Sequence, residues 1–153
     1  MKNIRASLKL ELRNLEKARE ILSYSYEKCS KIGVHPSLSN DELEAFEALA
    51  ARFSRLSDIV IQKVLRYLDA LDLEETGTIR DRINRAEKKE LINSAEDLIQ
   101  IRLLRNEIAH EYKPETIYAI FQQVLKLSPI LLAAVDQISE KSKQYLKQKG
   151  TNQ

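Results

Sequence analysis

The stretch SNDELEAFEALAARFSRLSDIVIQKVLRYLDAL, residues 39–71, decides the fold class. Apolar and aromatic residues recur in it every seven positions: Phe46, Phe53, Val60 and Tyr67. This spacing is typical of the apolar stripe of an α-helix. Ser39 precedes Glu42 by three residues, which is the spacing of a capping box, in which each side chain satisfies a free backbone N–H of the other. A helix over this stretch would be about 45–50 Å long, and we predict that it is the spine of a helical bundle.

The same spacing of seven marks a helix at each end of the chain. The first, predicted over residues 4–29, carries Leu8, Leu15, Leu22 and Cys29. The last carries Ile117, Val124, Leu131, Ile138 and Tyr145. Pro114 lies where a new helix commonly starts, and Pro129 should kink or divide the last helix. Residues 141–153 contain four lysines and few apolar residues, so we expect a frayed, solvated end.

Two further pairs repeat the spacing of a helix cap. Thr78 with Asp81 opens a short, highly charged helix over residues 79–91, and Ser94 with Asp97 opens a helix over residues 95–111. The prediction is therefore an all-α protein, an antiparallel up-and-down bundle of four to five helices.

Composition agrees with a bundle and excludes several classes of protein. The 153 residues suit a single domain, 1–153, and three Gly with three Pro are too few turn residues for a many-stranded β fold. One cysteine allows no intramolecular disulfide, which favours a reducing, cytoplasmic location. The N-terminus lacks the apolar core of a signal peptide, and no run approaches eighteen apolar residues, so we expect no membrane partner. Two histidines and one cysteine argue against a structural zinc site, and we expect no metal and no cofactor.

The candidate functional segment is RNEIAHEY, residues 105–112, at the predicted end of the fourth helix. Polar side chains able to bind a phosphate or move a proton are concentrated around it: Arg102, Arg105, Asn106, His110 and Tyr112. Successive residues of a helix differ by roughly 100°, so Arg105 and His110 point roughly 140° apart. Either the helix ends early, or a second copy of the chain supplies part of the site in a two-fold dimer.

Arg, four residues, His, one residue, Tyr resembles the motif of HEPN toxins of the HepT group, which are partners of minimal nucleotidyltransferase (MNT) antitoxins. The resemblance spans about residues 8–146. It implies a HEPN-like fold and a metal-independent endoribonuclease that acts as a homodimer with a composite active site. A minimal nucleotidyltransferase antitoxin would neutralise it, and RNA would be its substrate.

The resemblance also implies roles for single residues. Arg105 would hold the scissile phosphate, as cationic clamps do in phosphoryl transfer. His110 would move a proton, because histidine titrates near neutral pH. Asn106 and Arg102 would support these two, Asn106 by orienting the imidazole or binding a phosphate oxygen. Tyr112 would accept AMP from the nucleotidyltransferase, and the added charge would repel the RNA backbone.

The sequence leaves other interpretations open. The chain could be a non-catalytic HEPN adaptor that binds the substrate of a nucleotidyltransferase, or a helical scaffold without a site. Arg105 could be a salt-bridge partner, and His110 a helix C-terminal residue favoured by the dipole. The second helix could also reach the cleft, through Asp58 and Arg55.

Overall fold

The computed structural model describes residues 3–110 and 113–151, and their side chains as far as Lys147. This part of the chain is helical and contains no strand, which confirms the all-α prediction. The α-helices are α1 (Ile4–Ile32), α2 (Asn40–Asp58), α3 (Leu65–Leu71), α4 (Ile79–Lys88), α5 (Ala95–Ala109) and α6 (Ile117–Thr151). A π-helical segment, Ile59–Val64, joins α2 to α3, and a 3₁₀ turn, Pro114–Thr116, precedes α6.

The predicted caps begin the helices where the sequence places them. In the capping box of α2, the Ser39 hydroxyl accepts from the Glu42 backbone N–H at 3.2 Å, and the Glu42 carboxylate accepts from the Ser39 N–H at 2.9 Å. Thr78 and Asp81 form the equivalent box at α4. These reciprocal bonds satisfy backbone donors that have no partner inside a helix.

The ends of the helices differ from the prediction by two or three residues. α1 continues three residues beyond Cys29, as far as Ile32, and Gly33 ends it with a φ of 73°, a left-handed conformation that glycine adopts without strain. α4 ends at Lys88, and α5 ends at Ala109 instead of residue 111. The early end of α5 matters for the site, because it precedes His110.

The spine predicted over residues 39–71 is helical throughout, but it is not a regular α-helix. Over Ile59–Val64 it widens into a π-helix, and the Leu65 backbone N–H donates to the carbonyl of Val60, five residues earlier. Regular apolar spacing does not reveal such a segment, because its side chains Val60 and Val64 are buried as an α-helix would bury them. π segments are rare in proteins, and those that occur are often found at functional sites.

Polar contacts along α1 show that it is antiparallel to both of its main neighbours. Against α6, Arg19 forms a bidentate pair with Asp136 at 2.6 and 2.8 Å, and Lys143 contacts Glu16 at 2.9 Å. Against α2, the Arg52 guanidinium donates to the Ser25 hydroxyl at 2.6 Å, and the Cys29 thiol donates to the Ala45 carbonyl at 3.4 Å. Between these helices lies one apolar core, in which Phe46 of α2 stacks on Phe121 of α6 with ring centroids 5.1 Å apart.

The last helix differs from two expectations, although a kink at Pro129, the alternative to a division, stays a prediction. α6 is one helix from Ile117 to Thr151, so Pro129 does not divide it. The predicted frayed end is also incorrect over the described residues, because Ser142 and Leu146 are buried and the carbonyl of Leu146 accepts from the Arg5 guanidinium at 2.7 Å. Lys141, Lys143 and Lys147 are exposed, whereas Ser142 and Leu146 between them are buried.

The stretch Pro114–Lys147 is long and apolar enough to cross a membrane, judged by length and composition alone. A core helix of a bundle meets the same criteria. Here the stretch buries the following side chains against the other helices: Phe121, Val124, Leu131, Val135 and Ile138.

Candidate functional site

An open groove of about 850 Å³ lies between α1, the junction of α2 with the π segment, and α5. The α5 wall carries Arg102, Arg105 and Asn106, three of the residues singled out in the sequence. Arg55 and Asp58 line the opposite wall. The structure therefore places both of the second-helix candidates beside the motif.

The central contact of the groove is the pair formed by Arg105 and Asp58. Arg105 donates from Nε and Nη2 to the two carboxylate oxygens at 2.7 and 2.9 Å. The bond to Asp58 raises the pKa of the Arg105 guanidinium, although partial burial opposes this. Such edge-to-edge pairing fixes the plane and direction of a guanidinium. Asp58 therefore orients Arg105 within the groove.

The π segment forms one wall of the groove, and a side chain of α4 that does not line the groove binds its backbone. Ile59, Ile61, Gln62 and Lys63 line the groove. Arg82 of α4 donates from a terminal nitrogen to the Ile61 carbonyl at 3.1 Å. Burial lowers the pKa of Arg82, and Asp69 opposes that effect. Arg82 thus ties the widened backbone to the rest of the bundle.

The groove carries more positive than negative charge. Its cations are Arg55, Lys63, Arg102 and Arg105, and its carboxylates are Glu11 and Asp58. An excess of positive charge in a concave surface raises the local concentration of anionic ligands. The groove therefore suits an anion such as a phosphodiester.

His110 does not line this groove with Arg105. It is the C-cap of α5, with an extended backbone (φ −88°, ψ 165°), and its N–H donates to the Glu107 carbonyl at 3.2 Å. Its side chain is exposed. This arrangement agrees with the prediction that one straight helix does not direct Arg105 and His110 to the same point. The exposed imidazole is accessible to a second molecule.

Tyr112, the expected site of modification, lies outside the described residues. Sequence reasoning missed Glu11 and Asn14 of α1, and Gln62 and Lys63 of the π segment, all of which line the groove. No motif marks these residues. Only the packing of α1 beside the π segment brings them to the site.

Among residues 3–110 and 113–151, no three His, Cys, Asp or Glu side chains are grouped so that they could hold a metal ion. Comparison with protein-family models finds none that matches the chain. Comparison with curated proteins likewise finds no match.

Proposed function

We propose that this protein is a metal-independent endoribonuclease toxin of a HEPN/MNT toxin–antitoxin pair, with a composite active site at a homodimer interface. The observation that carries the proposal is the oriented guanidinium of Arg105 in a cationic groove, with His110 exposed at the end of the same helix. In this proposal Arg105 binds the phosphate, and the accessible His110 transfers the proton.

Arg105 retains donors for a phosphate while it is paired with Asp58. A guanidinium has five N–H donors, and Asp58 engages two of them, on Nε and Nη2. The donors that remain on Nη1 and Nη2 bind the scissile phosphate and stabilise the charge that builds on it. Arg102 and Asn106, which line the same wall, support this binding.

His110 of a second copy supplies proton transfer in the proposed reaction. The ribose 2′-oxygen attacks phosphorus as its proton passes to a base, and the bond from phosphorus to the 5′-oxygen breaks as that oxygen gains a proton. The products are a 2′,3′-cyclic phosphate and a 5′-hydroxyl, so the step consumes no water and needs no metal. In this proposal the enzyme acts in the cytoplasm, and a nucleotidyltransferase antitoxin blocks the cleft by adding AMP to Tyr112.

The test is cleavage of an end-labelled RNA by the purified chain in the presence of EDTA. We expect cleavage with a cyclic phosphate end, and loss of activity in Arg105→Ala and in His110→Ala. A mixture of the two inactive variants should regain activity, toward about a quarter of the wild-type level, because a mixed dimer contains one intact Arg–His pair. Undiminished cleavage by both single variants would contradict the proposal.

A second candidate function is that of a non-catalytic subunit that binds the substrate of a nucleotidyltransferase. The observation that favours it is that the groove of one chain contains Arg105 but not His110. A phosphate-binding groove without a proton-transfer group suits nucleotide binding. This candidate predicts that the wild-type chain leaves RNA intact and that Arg105→Ala weakens nucleotide binding while His110→Ala does not.

A further inference from the structure

We propose that a second groove, along the seam of α1 and α2, binds the backbone of single-stranded RNA next to the scissile phosphate. This inference rests on the proposed function and extends its site. The second groove has a volume of about 360 Å³ and is lined by Asn14, Lys17, Ala18, Ile21, Arg52 and Arg55. It is called the seam groove below.

The seam groove adjoins the groove of Arg105. Asn14 and Arg55 line both of them, so no wall of other residues separates the two. From Asn14 to Ile21, the seam groove follows α1 for about 10 Å. A nucleic acid strand held at Arg105 therefore continues along the seam.

The charge of the seam groove is of one sign. Three of its six lining residues are cations, Lys17, Arg52 and Arg55, and none is a carboxylate. Within the described part of the chain, neither Lys17 nor Arg55 belongs to an ion pair, and both are exposed. Unpaired cations along a groove are the electrostatic feature that binds phosphates irrespective of sequence.

Arg52 is oriented before any ligand binds. Its Nη1 donates to the hydroxyl of Ser25 at 2.6 Å, and Ser25 is only 4% exposed. Its other N–H groups remain available to the groove. A preorganised guanidinium loses less conformational freedom on binding than an unattached one.

Apolar side chains on the exposed face of α1 give bases a surface to contact. Ile21, in the seam groove, is 48% exposed. Tyr24, one turn further along α1, is 66% exposed and lines the next depression together with Arg52. Aromatic side chains beside cations are the usual elements of a surface for single-stranded nucleic acid, because every base has a face that stacks.

The test measures binding apart from cleavage. A fluorescent single-stranded RNA is titrated with the His110→Ala chain, and the same titration is repeated in that background with Lys17→Glu. A Lys17→Ala/Arg52→Gln variant is the second probe. Lys126→Glu is the matched control, because Lys126 is exposed on α6 and lines neither groove.

We expect Lys17→Glu to weaken RNA binding about tenfold at low salt and the control to leave it unchanged. The slope of log affinity against log salt should become shallower by about 0.7 for each phosphate that the variant no longer neutralises, as for other single-strand binders. The double variant should reduce the slope by about twice that amount. Thermal unfolding of each variant checks that the bundle is intact.

The outcomes separate this inference from the proposed function. Equal RNA affinity of the Lys17 variants and the control would overturn the proposal that the seam groove binds RNA. Cleavage of RNA by the wild-type chain would be unaffected by that result. RNA binding that depends on Lys17, in a chain that does not cleave RNA, would support the seam groove and refute the nuclease. A change of sedimentation in Lys17→Glu with unchanged RNA affinity would overturn the inference, because it would show that the seam is a protein interface.

Discussion

Arg105 and Asp58 meet edge to edge across the groove, with both carboxylate oxygens engaged at 2.7 and 2.9 Å. Both side chains are partly exposed, 31% for Arg105 and 40% for Asp58. Ion pairs at this exposure contribute about 0–1 kcal/mol to stability, because water competes for both partners. Orientation of the guanidinium, more than stability, is therefore the effect of the pair.

Asp58→Asn should lower kcat for RNA cleavage by about tenfold, because a guanidinium free to rotate is less often aligned with the phosphate. The free energy of unfolding should change by about 1 kcal/mol or less. Single-turnover cleavage and urea denaturation measure the two effects.

Asp136→Asn is the matched control for this prediction. Asp136 also forms a bidentate pair with an arginine, Arg19, but that pair lies between α1 and α6 and neither residue lines the groove of Arg105. Its cleavage rate should equal that of the wild type. Equal rates in both variants would show that Asp58 does not position Arg105.

Asp69→Ala should destabilise the fold by about 3 kcal/mol at pH 7. Asp69 is almost fully buried, and it accepts bonds from Arg85 at 2.8 Å and Lys89 at 3.1 Å. Removal of the carboxylate takes this partner from the largely buried Arg85, while Lys89 keeps Asp72 at 2.8 Å, and the loss at Arg85 costs more than loss of a surface pair. Urea denaturation measures the change. The surface variant Asp136→Ala should lose about 1 kcal/mol or less, and similar losses in both would contradict the prediction.

Asp81 should make stability depend on pH on the acid side. Hydrogen bonds from the backbone N–H and hydroxyl of Thr78 hold the pKa of the Asp81 carboxyl below its ordinary value. A lowered folded-state pKa means stabilisation that is present above an ordinary pKa of about 3.9 and is lost as pH falls through the folded-state value. The difference in urea midpoint between wild type and Asp81→Asn should therefore be present at pH 6 and shrink below pH 4. A difference that stays constant down to pH 2 would exclude this account.

Cys29 should be unreactive in the folded chain. Its thiol is fully buried, it lies 3.4 Å from the Ala45 carbonyl oxygen, and burial raises its pKa. Reaction requires an exposed thiolate, and both the burial of the thiol and its raised pKa oppose this. Ellman's reagent should react slowly with native protein and completely in 6 M guanidinium chloride, a concentration well above typical unfolding midpoints. Rapid reaction of the native chain would show that α1 opens locally.

The fold class was predictable because the apolar spacing marks the helices and local hydrogen bonds mark where several of them begin. Ser39 with Glu42 and Thr78 with Asp81 cap their helices through bonds that span three residues, so the sequence alone shows them. The burial of side chains in the segment that begins at residue 141 was not predictable in this way. Its lysines indicate solvent, but Ser142 and Leu146 are buried, and the Leu146 carbonyl accepts from Arg5 at the other end of the chain.

The site was predictable in part. Arg105, Asn106 and Arg102 belong to one short motif, and the structure places all three in one groove. The remaining walls come from separate elements, and a spacing rule that assumes 3.6 residues per turn has no means of detecting a π segment. Asp58 and Arg55 were candidates for reaching the cleft from the second helix, but the pairing of Asp58 with Arg105 depends on the packing of α5 and was not predictable from the sequence.

The π segment in the spine sets the angular relation between the carboxylates of Asp58 and Asp69. Asp58 immediately precedes Ile59–Val64 and reaches α5, whereas Asp69 follows it and reaches α4. Six residues wound as a π-helix lag those of an α-helix by about 100° in total. If the same six residues were rewound as an α-helix, Asp58 and Asp69 would turn by about 100° relative to each other, and removal of one residue at the same time would restore their present relation. The direction in which each carboxylate leaves the spine therefore depends on the winding and the length of this connection together, because six residues of π-helix and five of α-helix turn the chain through about the same angle.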